Sequence, residues 1–356
     1  MRLVTLVHIS DLHIGNIDPT SSSKDALTPA FWANCRHLDG MLGHSYRSLV
    51  HLEAVFAQLK QTEDALLIVT GDLTAFGSEI QFETAAEYLG STLKPPKGRH
   101  IGLREKTWRN LAIPGNHDHW PGKRVILGAP TGGLSTYFPD LPAEYLFRLS
   151  SGHLMRFLRL DSDVDVSPLG SKRFLARGCF SSHLETLANQ LPDPQEKEIR
   201  VLLLHHSFSK TGLILSMTGR SRKALSEFIV NHAISVLLCG HIHEPPLVDT
   251  HGVEHLLQKR DFLEGRSGTT SQISTLLLDW KDFRGKRPER PNHWPNSFLV
   301  HRLCKETDDS IDWHTETYLE TPEGFKPASL ALGKSFPKMS KIFRVYQSPL
   351  SRMRSK

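Results

Sequence analysis

Short apolar segments recur along the chain, and each one ends where a cluster of polar residues begins. They are brief, rich in Val, Ile and Leu, and bounded by Asp, Asn, His or Gly, which is the pattern of buried strands. The predicted strands are residues 3–9, 65–70, 110–113, 199–204 and 234–239. Between them, apolar residues recur three and four positions apart, as they do in amphipathic helices. The predicted helices are residues 46–60, 79–93, 181–190 and 222–232.

Strand alternates with helix over most of the chain, and this alternation predicts an α/β architecture. Open α/β sheets bind ligands at the carboxyl ends of their strands, so the polar clusters that follow the strands are expected to converge. Hairpins are predicted at residues 144–160 and 247–257, and further strands at 274–278, 297–302 and 311–317. These additions predict mixed sheets.

No internal repeat or clean boundary divides the main body of the chain. We therefore predict a main domain over residues 1–280, an elaboration at 281–325 packed on the same domain, and a tail at 326–356. Residues 16–45 lack a long periodicity and follow the first polar cluster, so they are predicted to be an insertion. The sequence leaves open whether this insertion is a lid or a surface loop.

The composition, 39% hydrophobic and 23% charged over 356 residues, is typical of an ordinary globular protein. No apolar run approaches the 18 residues of a membrane-spanning helix, and the first strand runs directly into polar residues, unlike a cleaved signal peptide. The four cysteines are scattered and form no Cys-x-x-Cys pair: Cys35, Cys179, Cys239 and Cys304. Such cysteine usage predicts a protein of the reducing cytoplasm.

The positive net charge comes from the tail. Residues 326–356 contain eight Lys or Arg and no acid; without them, 35 basic residues stand against 38 acidic ones. Because the main body is not basic, a nucleic-acid groove is not favoured there. We interpret the tail as a solvated or loosely docked extension rather than a nucleic-acid-binding arm.

Five polar clusters carry the candidate chemistry, each directly after a predicted strand: Asp11-Leu-His13, Gly71-Asp72, Gly115-Asn116-His117-Asp118, His205-His206 and Gly240-His241-Ile242-His243. Residues two apart in an extended segment point to the same side, so each His-containing pair is expected to reach one metal pair. Imidazole nitrogen with carboxylate and amide oxygen suits zinc, manganese or iron, and the lack of thiolates argues against structural zinc. A catalytic binuclear centre is predicted, with the glycines allowing sharp turns.

Taken in order, these clusters resemble the motif set of the calcineurin-like metallophosphoesterase superfamily over about residues 3–250. The resemblance implies an α/β (α+β) fold, a four-layer α/β/β/α sandwich of two mixed β-sheets flanked by helices. It also implies two divalent metal ions (Mn, Fe or Zn). The implied ligands are Asp11, His13 and His243 for the first ion, Asn116, His205 and His241 for the second, and Asp72 as the bridge.

Two adjacent histidines compete for one ligand position, and we choose His205 because it ends the apolar run 201–204 and stands at the family's ligand position. His206 and His119 are candidate substrate-binding residues; for His206, a neighbour without a role is an equally good interpretation. Trp120 is close enough in sequence to line the same pocket.

The predicted mechanism uses two ions to lower the pKa of a shared water, so that a metal-bridging hydroxide attacks the phosphorus. The resemblance implies that His117 protonates the leaving oxygen or stabilises its charge. Many relatives carry an Asp three residues after the bridging aspartate, where it orients this histidine, whereas this chain has Ala75. His117 is therefore expected to be held differently.

The segments 71–77 and 115–118 are most similar to the bacterial 3′,5′-cyclic-nucleotide phosphodiesterase branch, and Phe76 and Asp118 disfavour a protein phosphatase. The predicted activity is hydrolysis of a small phosphodiester, with a 3′,5′-cyclic nucleotide as a candidate substrate. The alternatives are a phosphomonoesterase, a DNA nuclease, which the opening residues 8–15 also resemble, and a non-catalytic interaction module. The sequence does not predict an oligomeric state.

Overall fold

The strands of this computed structural model form two sheets within the residues that the structure describes: 1–15, 44–94, 99–121, 129–166, 175–243, 253–257, 260–271, 295–307, 310–332 and 343–348. Strands of the first sheet are β1 (Arg2–Ile9), β2 (Leu66–Thr70), β3 (Ala112–Ile113), β10 (Ser297–Thr307), β11 (Ser310–Thr321), β12 (Gly324–Pro327) and β13 (Phe343–Gln347). Strands of the second are β4 (Ala143–Arg148), β5 (Leu154–Arg159), β6 (Glu198–Leu203), β7 (Ile234–Cys239), β8 (Val253–Leu257) and β9 (Arg260–Arg266). The helices are α1 (Tyr46–Glu63), α2 (Glu79–Gly90), α3 (Gly132–Tyr137), α4 (Ser181–Gln190), α5 (Gly219–Asn231) and α6 (Ala328–Ala331).

Both sheets are mixed, as the sequence predicts. The first runs in the order β12-β11-β10-β1-β2-β3, with β13 on β11, and the second in the order β4-β5-β6-β7-β9-β8. Strands β1, β2 and β3 are parallel, and so are β5, β6, β7 and β9. The carboxyl ends of these parallel strands meet at sheet edges, which is where the polar clusters begin.

Alternation along the strands builds a four-layer α/β/β/α sandwich. On β1, Leu6 packs in a core that the two sheets share, together with Phe157 of β5. The next residue, Val7, faces the opposite way and packs under α1 and α2. On the far face of the second sheet, Leu202 lies in a third core with residues of α4 and α5. Because neighbouring strand residues point to opposite faces, one apolar strand serves two cores.

Several elements differ from the sequence prediction. Residues 108–111 form a 3-10 helix, so β3 keeps only two residues of the predicted strand at 110–113. β8 pairs with β9, which the sequence analysis did not predict, and the partner predicted for it at 247–250 lies outside the described residues. The strand predicted at 274–278, residues 16–43 of the insertion and residues 281–294 also lie outside the described part.

The carboxyl-terminal strands belong to the same sheet as the amino-terminal one. β10 is antiparallel to β1 and separates it from β11. Part of the predicted tail also pairs with this sheet, because β13 lies against β11 and buries Val345. Within the described ranges, helices long and apolar enough to cross a membrane are absent.

Candidate metal centre

Two clusters of potential metal ligands form where the strands end, and Asp72 belongs to both. The ligand atoms within each cluster lie within 4.8 Å of one another: Asp11, His13, Asp72 and His243 in the first, and Asp72, His205 and His241 in the second. Asn116 extends the second cluster, because its Oδ1 lies 3.1 Å from His205 Nε2. All seven residues that the resemblance selects are therefore neighbours in space.

The two clusters are joined through Asp72. Its Oδ2 lies 3.3 Å from His205 Nε2 in the second cluster and 4.0 Å from His13 Nε2 in the first. In the first cluster His243 Nε2 lies 2.9 Å from Asp11 Oδ1. His241 and His243 enter different clusters although only one residue separates them.

The backbone at these ligands is not the extended strand that the sequence analysis assumed. Asp11, His13, Asp72, His241 and His243 all have positive φ, between 49° and 72°. Non-glycine residues seldom adopt this left-handed conformation, because it costs free energy. The residues that do adopt it are found mainly at functional sites. The expectation that alternation along a strand aligns Asp11 with His13 is therefore wrong, because both residues lie beyond β1 in a loop that turns each side chain toward the cluster.

Two glycines make this close approach feasible. Gly71 has φ of +99°, and a Cβ there would lie 2.6 Å from His205 Nδ1. At Gly240 a Cβ would lie 1.8 Å from Ser10 Oγ and 2.7 Å from Asp11 Oδ2. Real Cβ atoms do not come this close to other atoms. Any side chain at position 71 or 240 would therefore push one of these loops away from its neighbour.

Backbone carbonyls fix the ring orientation of two histidines in the second cluster. His205 Nδ1 donates to the carbonyl of Thr70 at 2.7 Å, and His241 Nε2 donates to that of Ala176 at 3.2 Å. A carbonyl oxygen only accepts hydrogen bonds, so these nitrogens carry the proton in each neutral ring. The opposite nitrogens then face each other across 3.2 Å as lone-pair donors. This orientation by an outer partner is typical of metal-binding histidines.

The residues present fit a transition-metal centre. Asp11 Oδ1 is buried and makes no hydrogen bond of good geometry among the described residues, although His243 Nε2 lies 2.9 Å from it. His13 Nε2 also faces His243 Nε2 at 3.4 Å, where one shared proton at most satisfies the pair. Buried polar atoms that lack partners are costly, and an ion that accepts these lone pairs removes the cost.

The charges around Asp72 favour cation binding. Burial alone raises the pKa of Asp72, but His205 and His117 outweigh it and hold that pKa well below the usual range. Burial lowers the pKa of His13 and of His241 well below that of a free imidazole. The site therefore combines a charged carboxylate with neutral imidazoles at His13 and His241, the protonation states in which these groups bind metals. At His205 burial lowers the pKa, but Asp72 outweighs it and raises that pKa to about 10, so a bound ion would replace a proton on this ring.

A carboxylate beside the ligands holds two of the ligand loops together. Asp118 accepts hydrogen bonds from the backbone nitrogens of Leu73 at 3.1 Å and Thr74 at 2.9 Å, and from the Thr74 hydroxyl at 2.8 Å. Its Oδ2 also accepts from the Gly115 nitrogen at 2.9 Å. Asp118 thus braces the loop that carries Asp72 against its own.

His117 lies next to the clusters. It is buried, its ring meets that of His13 edge-on at 4.7 Å, and its backbone nitrogen donates to Asp72 Oδ1 at 2.8 Å. Its Nδ1 lies 3.0 Å from the carbonyl oxygen of Ala75. The chain has no aspartate side chain at position 75, and here the backbone at that position accepts the bond instead.

The two predicted substrate-binding histidines are both buried and bonded to protein groups. His119 Nε2 pairs with both carboxylate oxygens of Asp161, at 3.0 and 2.9 Å. His206 Nδ1 lies 2.8 Å from the Ser162 hydroxyl, and its ring packs 4.2 Å from that of His241. Their contact with substrate remains a prediction.

Residues 161–163 were missed by the sequence analysis, although the rule that found the other clusters also applies to them. Asp161, Ser162 and Asp163 follow β5 directly, as the ligand clusters follow their strands. Burial raises the pKa of Asp163 to about 7. The predicted hairpin ends at residue 160, and the polar residues that follow it were left unassigned.

Comparison with known proteins agrees with this architecture. The sequence model of the calcineurin-like phosphoesterases matches residues 4–245. Over 214 residues the chain is 29% identical to the 3′,5′-cyclic adenosine monophosphate phosphodiesterase CpdA of Escherichia coli strain K12, covering 58% of this chain and 63% of that protein. CpdA of Escherichia coli O157:H7 matches to the same extent. The chain thus spans less than two thirds of the length of these relatives.

Proposed function

The chain belongs to the calcineurin-like phosphoesterase family, and from this premise we propose that it hydrolyses a small phosphodiester at a pair of divalent transition-metal ions. Members of this family are metal-dependent phosphoric ester hydrolases. The observation that carries the finer proposal is the pair of ligand clusters that share Asp72, since a shared carboxylate is what a two-ion centre requires.

The ions would be held by nitrogen and oxygen donors alone. Asp11, His13, Asp72 and His243 would hold the first ion, and Asp72, Asn116, His205 and His241 the second. Manganese, iron and zinc all bind such a mixed set of nitrogen and oxygen donors. Calcium and magnesium suit it less well, because these hard cations prefer oxygen ligands alone. When bound, such ions supply Lewis-acid catalysis and a nucleophilic water at neutral pH.

The protein's own residues supply orientation and a proton. The carbonyls of Thr70 and Ala176 keep His205 and His241 turned toward the centre. With Nδ1 of His117 bonded to the carbonyl of Ala75, the remaining nitrogen Nε2 is the atom to protonate the departing oxygen. His117 stands beside the ligands without being one of them, which is the position that a general acid needs.

Two observations favour a small diester over other phosphate esters. The relatives that match are 3′,5′-cyclic adenosine monophosphate phosphodiesterases by name, so we propose a 3′,5′-cyclic nucleotide as the first substrate to test. Outside residues 326–356 the chain carries 35 basic and 38 acidic residues, a balance unlike that of proteins that follow a nucleic-acid backbone.

An activity panel tests the proposal. Manganese-loaded protein is assayed with 3′,5′-cyclic nucleotides, bis(4-nitrophenyl) phosphate, 4-nitrophenyl phosphate and single-stranded DNA, with His117→Ala and a chelated sample as controls. We expect turnover of the two diester classes, loss of at least ~100-fold in His117→Ala toward cyclic nucleotides, and no turnover after chelation. Efficient hydrolysis of 4-nitrophenyl phosphate with neither diester cleaved would contradict the phosphodiesterase, and DNA cleavage at moderate salt would favour a nuclease.

A further inference from the structure

The imidazole of His117 is enclosed on three sides. Its Nδ1 lies 3.0 Å from the Ala75 carbonyl, the edge of His13 meets it at a centroid distance of 4.7 Å, and the indole of Trp120 stacks on its face. The stacked rings are 3.9 Å apart between centroids, with their planes at 25°. At this separation the two rings are in direct face-to-face contact.

One hydrogen bond is not enough to orient a ring. The bond from Nδ1 to Ala75 fixes one point of the imidazole, but the ring plane can still tilt about that point. The indole face removes this freedom, because a tilt would break the stacking contact. His117 therefore needs both partners if Nε2 is to face the ligand cluster.

Trp120 is itself well supported. Only 7% of it is exposed, its backbone nitrogen donates to the His117 carbonyl at 3.1 Å, and the ring of Phe76 stacks against it at a centroid distance of 6.4 Å. The short 3-10 helix His117–His119 places the indole directly above the histidine that begins the turn. A buried, braced indole is a rigid surface against which another ring can be aligned.

We propose that Trp120 is the positioning residue of His117, holding the imidazole plane so that Nε2 points at the leaving oxygen of the substrate. Trp120 acts through His117 and does not touch the reacting atoms. The inference rests on the proposed function, in which His117 donates the proton.

The leaving group decides how much this alignment matters. A 4-nitrophenolate departs without a proton, whereas a phenolate or alkoxide is a poor leaving group unless an acid protonates it. A misaligned His117 should therefore slow the cleavage of esters with poor leaving groups and hardly change the cleavage of those with good ones. A residue needed only for folding or metal binding would slow both equally.

The experiment measures kcat for methyl aryl phosphates whose leaving groups run from 4-nitrophenol to phenol, with wild type, Trp120→Leu, Trp120→Phe and His117→Ala. We expect Trp120→Leu to lower kcat roughly 10- to 100-fold with the phenyl ester and less than about 3-fold with the 4-nitrophenyl ester. The loss with the phenyl ester is a fraction of the full effect of a general acid. Trp120→Phe keeps an aromatic face and should recover most of the loss. Bound metal, measured by elemental analysis, should be unchanged in all variants.

Trp108 offers a matched control. It is also a buried tryptophan, 4% exposed, but it packs edge-on against Phe138 at 6.5 Å in the core beneath α1 and α2. Trp108→Leu should lower thermal stability without making the rate more sensitive to the leaving group.

Two results would overturn the inference and can be told apart. If Trp120→Leu slows all esters equally or loses metal while His117→Ala remains sensitive to the leaving group, Trp120 is not a positioning residue and the role of His117 stands. If His117→Ala itself shows no leaving-group sensitivity, the proposed acid is wrong and the inference falls with it.

Discussion

Asp72 is the residue on which both ligand clusters depend. Its carboxylate is 1% exposed and lies within reach of ligand atoms in each cluster. We expect Asp72→Ala to release most of both bound ions, because the remaining ligands of each cluster lose their common partner. Elemental analysis after gel filtration in metal-free buffer measures the stoichiometry, with exposed Asp193→Ala as the control. Two retained ions per chain would show that Asp72 does not bridge them.

The buried pair of His119 and Asp161 gives a second residue-level prediction. Burial lowers the pKa of His119, but Asp161 outweighs it and raises the pKa to about 9. Burial raises the pKa of Asp161, yet the charge of His119 brings that pKa below the usual value. The stabilisation is therefore present above the pKa of the unfolded aspartate, near 4, and is lost as pH rises through about 9.

Asp161→Asn should lower the free energy of unfolding by roughly 3–5 kcal/mol at pH 7, since it leaves a buried charge without its partner. The loss should shrink toward pH 10, where His119 is neutral in the folded protein. Urea denaturation at both pH values measures it. Asp193→Asn, at an exposed position, is the control, and an equal loss at pH 7 and pH 10 would refute the ion pair.

At the scale of elements, the ligand loops are held by bonds between loops rather than by the strands alone. The Asp118 carboxylate accepts hydrogen bonds from the buried backbone nitrogens of Leu73 and Thr74 in one loop and of Gly115 in another. Asp118→Ala should therefore destabilise the metal-free protein by at least ~2 kcal/mol, because each unpaired buried donor costs about 1–3 kcal/mol. Asp118→Asn, which keeps one acceptor oxygen, should lose less. Urea unfolding in chelator measures both, and a wild-type midpoint for Asp118→Ala would contradict the brace.

The elements themselves divide into those that local sequence determines and those that it does not. Helix α4 has the predicted bounds, and β7 does as well, because each has a complete apolar pattern and clear flanking residues. β9 was missed, since its only apolar residues are Phe262 and Leu263 and its place in the sheet comes from pairing with β7. The candidate ligands could be selected by residue type, and the structure brings them together. The positive φ at five of them could not be predicted, because it accompanies hydrogen bonds between loops that are distant in sequence.

The whole molecule depends on strands that are distant in sequence. β10 and β11 lie beyond residues 4–245, which carry the family match, yet β10 pairs with β1, the strand that leads to Asp11. We propose that residues 281–325 and the main domain fold as one unit, since removing β10 would expose the edge of β1 in the middle of the sheet. The sequence predicts this packing only in general terms, because antiparallel pairing between positions as distant as Val4 and Leu303 leaves no local signal.

A buried chain of hydrogen bonds runs through this sheet from β11 to β2. Trp313 Nε1 donates to His301 Nδ1 at 3.0 Å, and because indole N–H is a donor only, His301 Nδ1 must accept. His301 Nε2 then donates to His8 Nδ1 at 3.2 Å, and His8 Nε2 donates to the Thr70 hydroxyl at 2.9 Å. Each ring uses one nitrogen as donor and one as acceptor, so both histidines are neutral and neither has room for a second proton.

This chain predicts how stability depends on pH. Burial lowers the pKa of His8 to about 3 and that of His301 well below its usual value. Between about pH 3 and 6.5 the unfolded chain therefore binds protons that the folded protein refuses, so stability falls as the pH is lowered through this window. Each histidine contributes up to about 1.4 kcal/mol per pH unit to this dependence of the unfolding free energy on pH.

Replacing His8 by Asn should make the unfolding free energy less dependent on pH between 4 and 6, by about the 1.4 kcal/mol per pH unit that corresponds to one proton. Urea denaturation in the presence of a chelator measures this dependence without a contribution from metal binding. The variant loses stability at pH 7, where the hydrogen bonds are broken, but that loss narrows as the pH is lowered because the variant no longer has to exclude a proton at this position. His100→Asn, at an exposed position, is the matched control and should keep the wild-type slope. Parallel curves for His8→Asn and wild type would mean that His8 accepts a proton in the folded protein, and the directional chain from Trp313 to Thr70 would then be wrong.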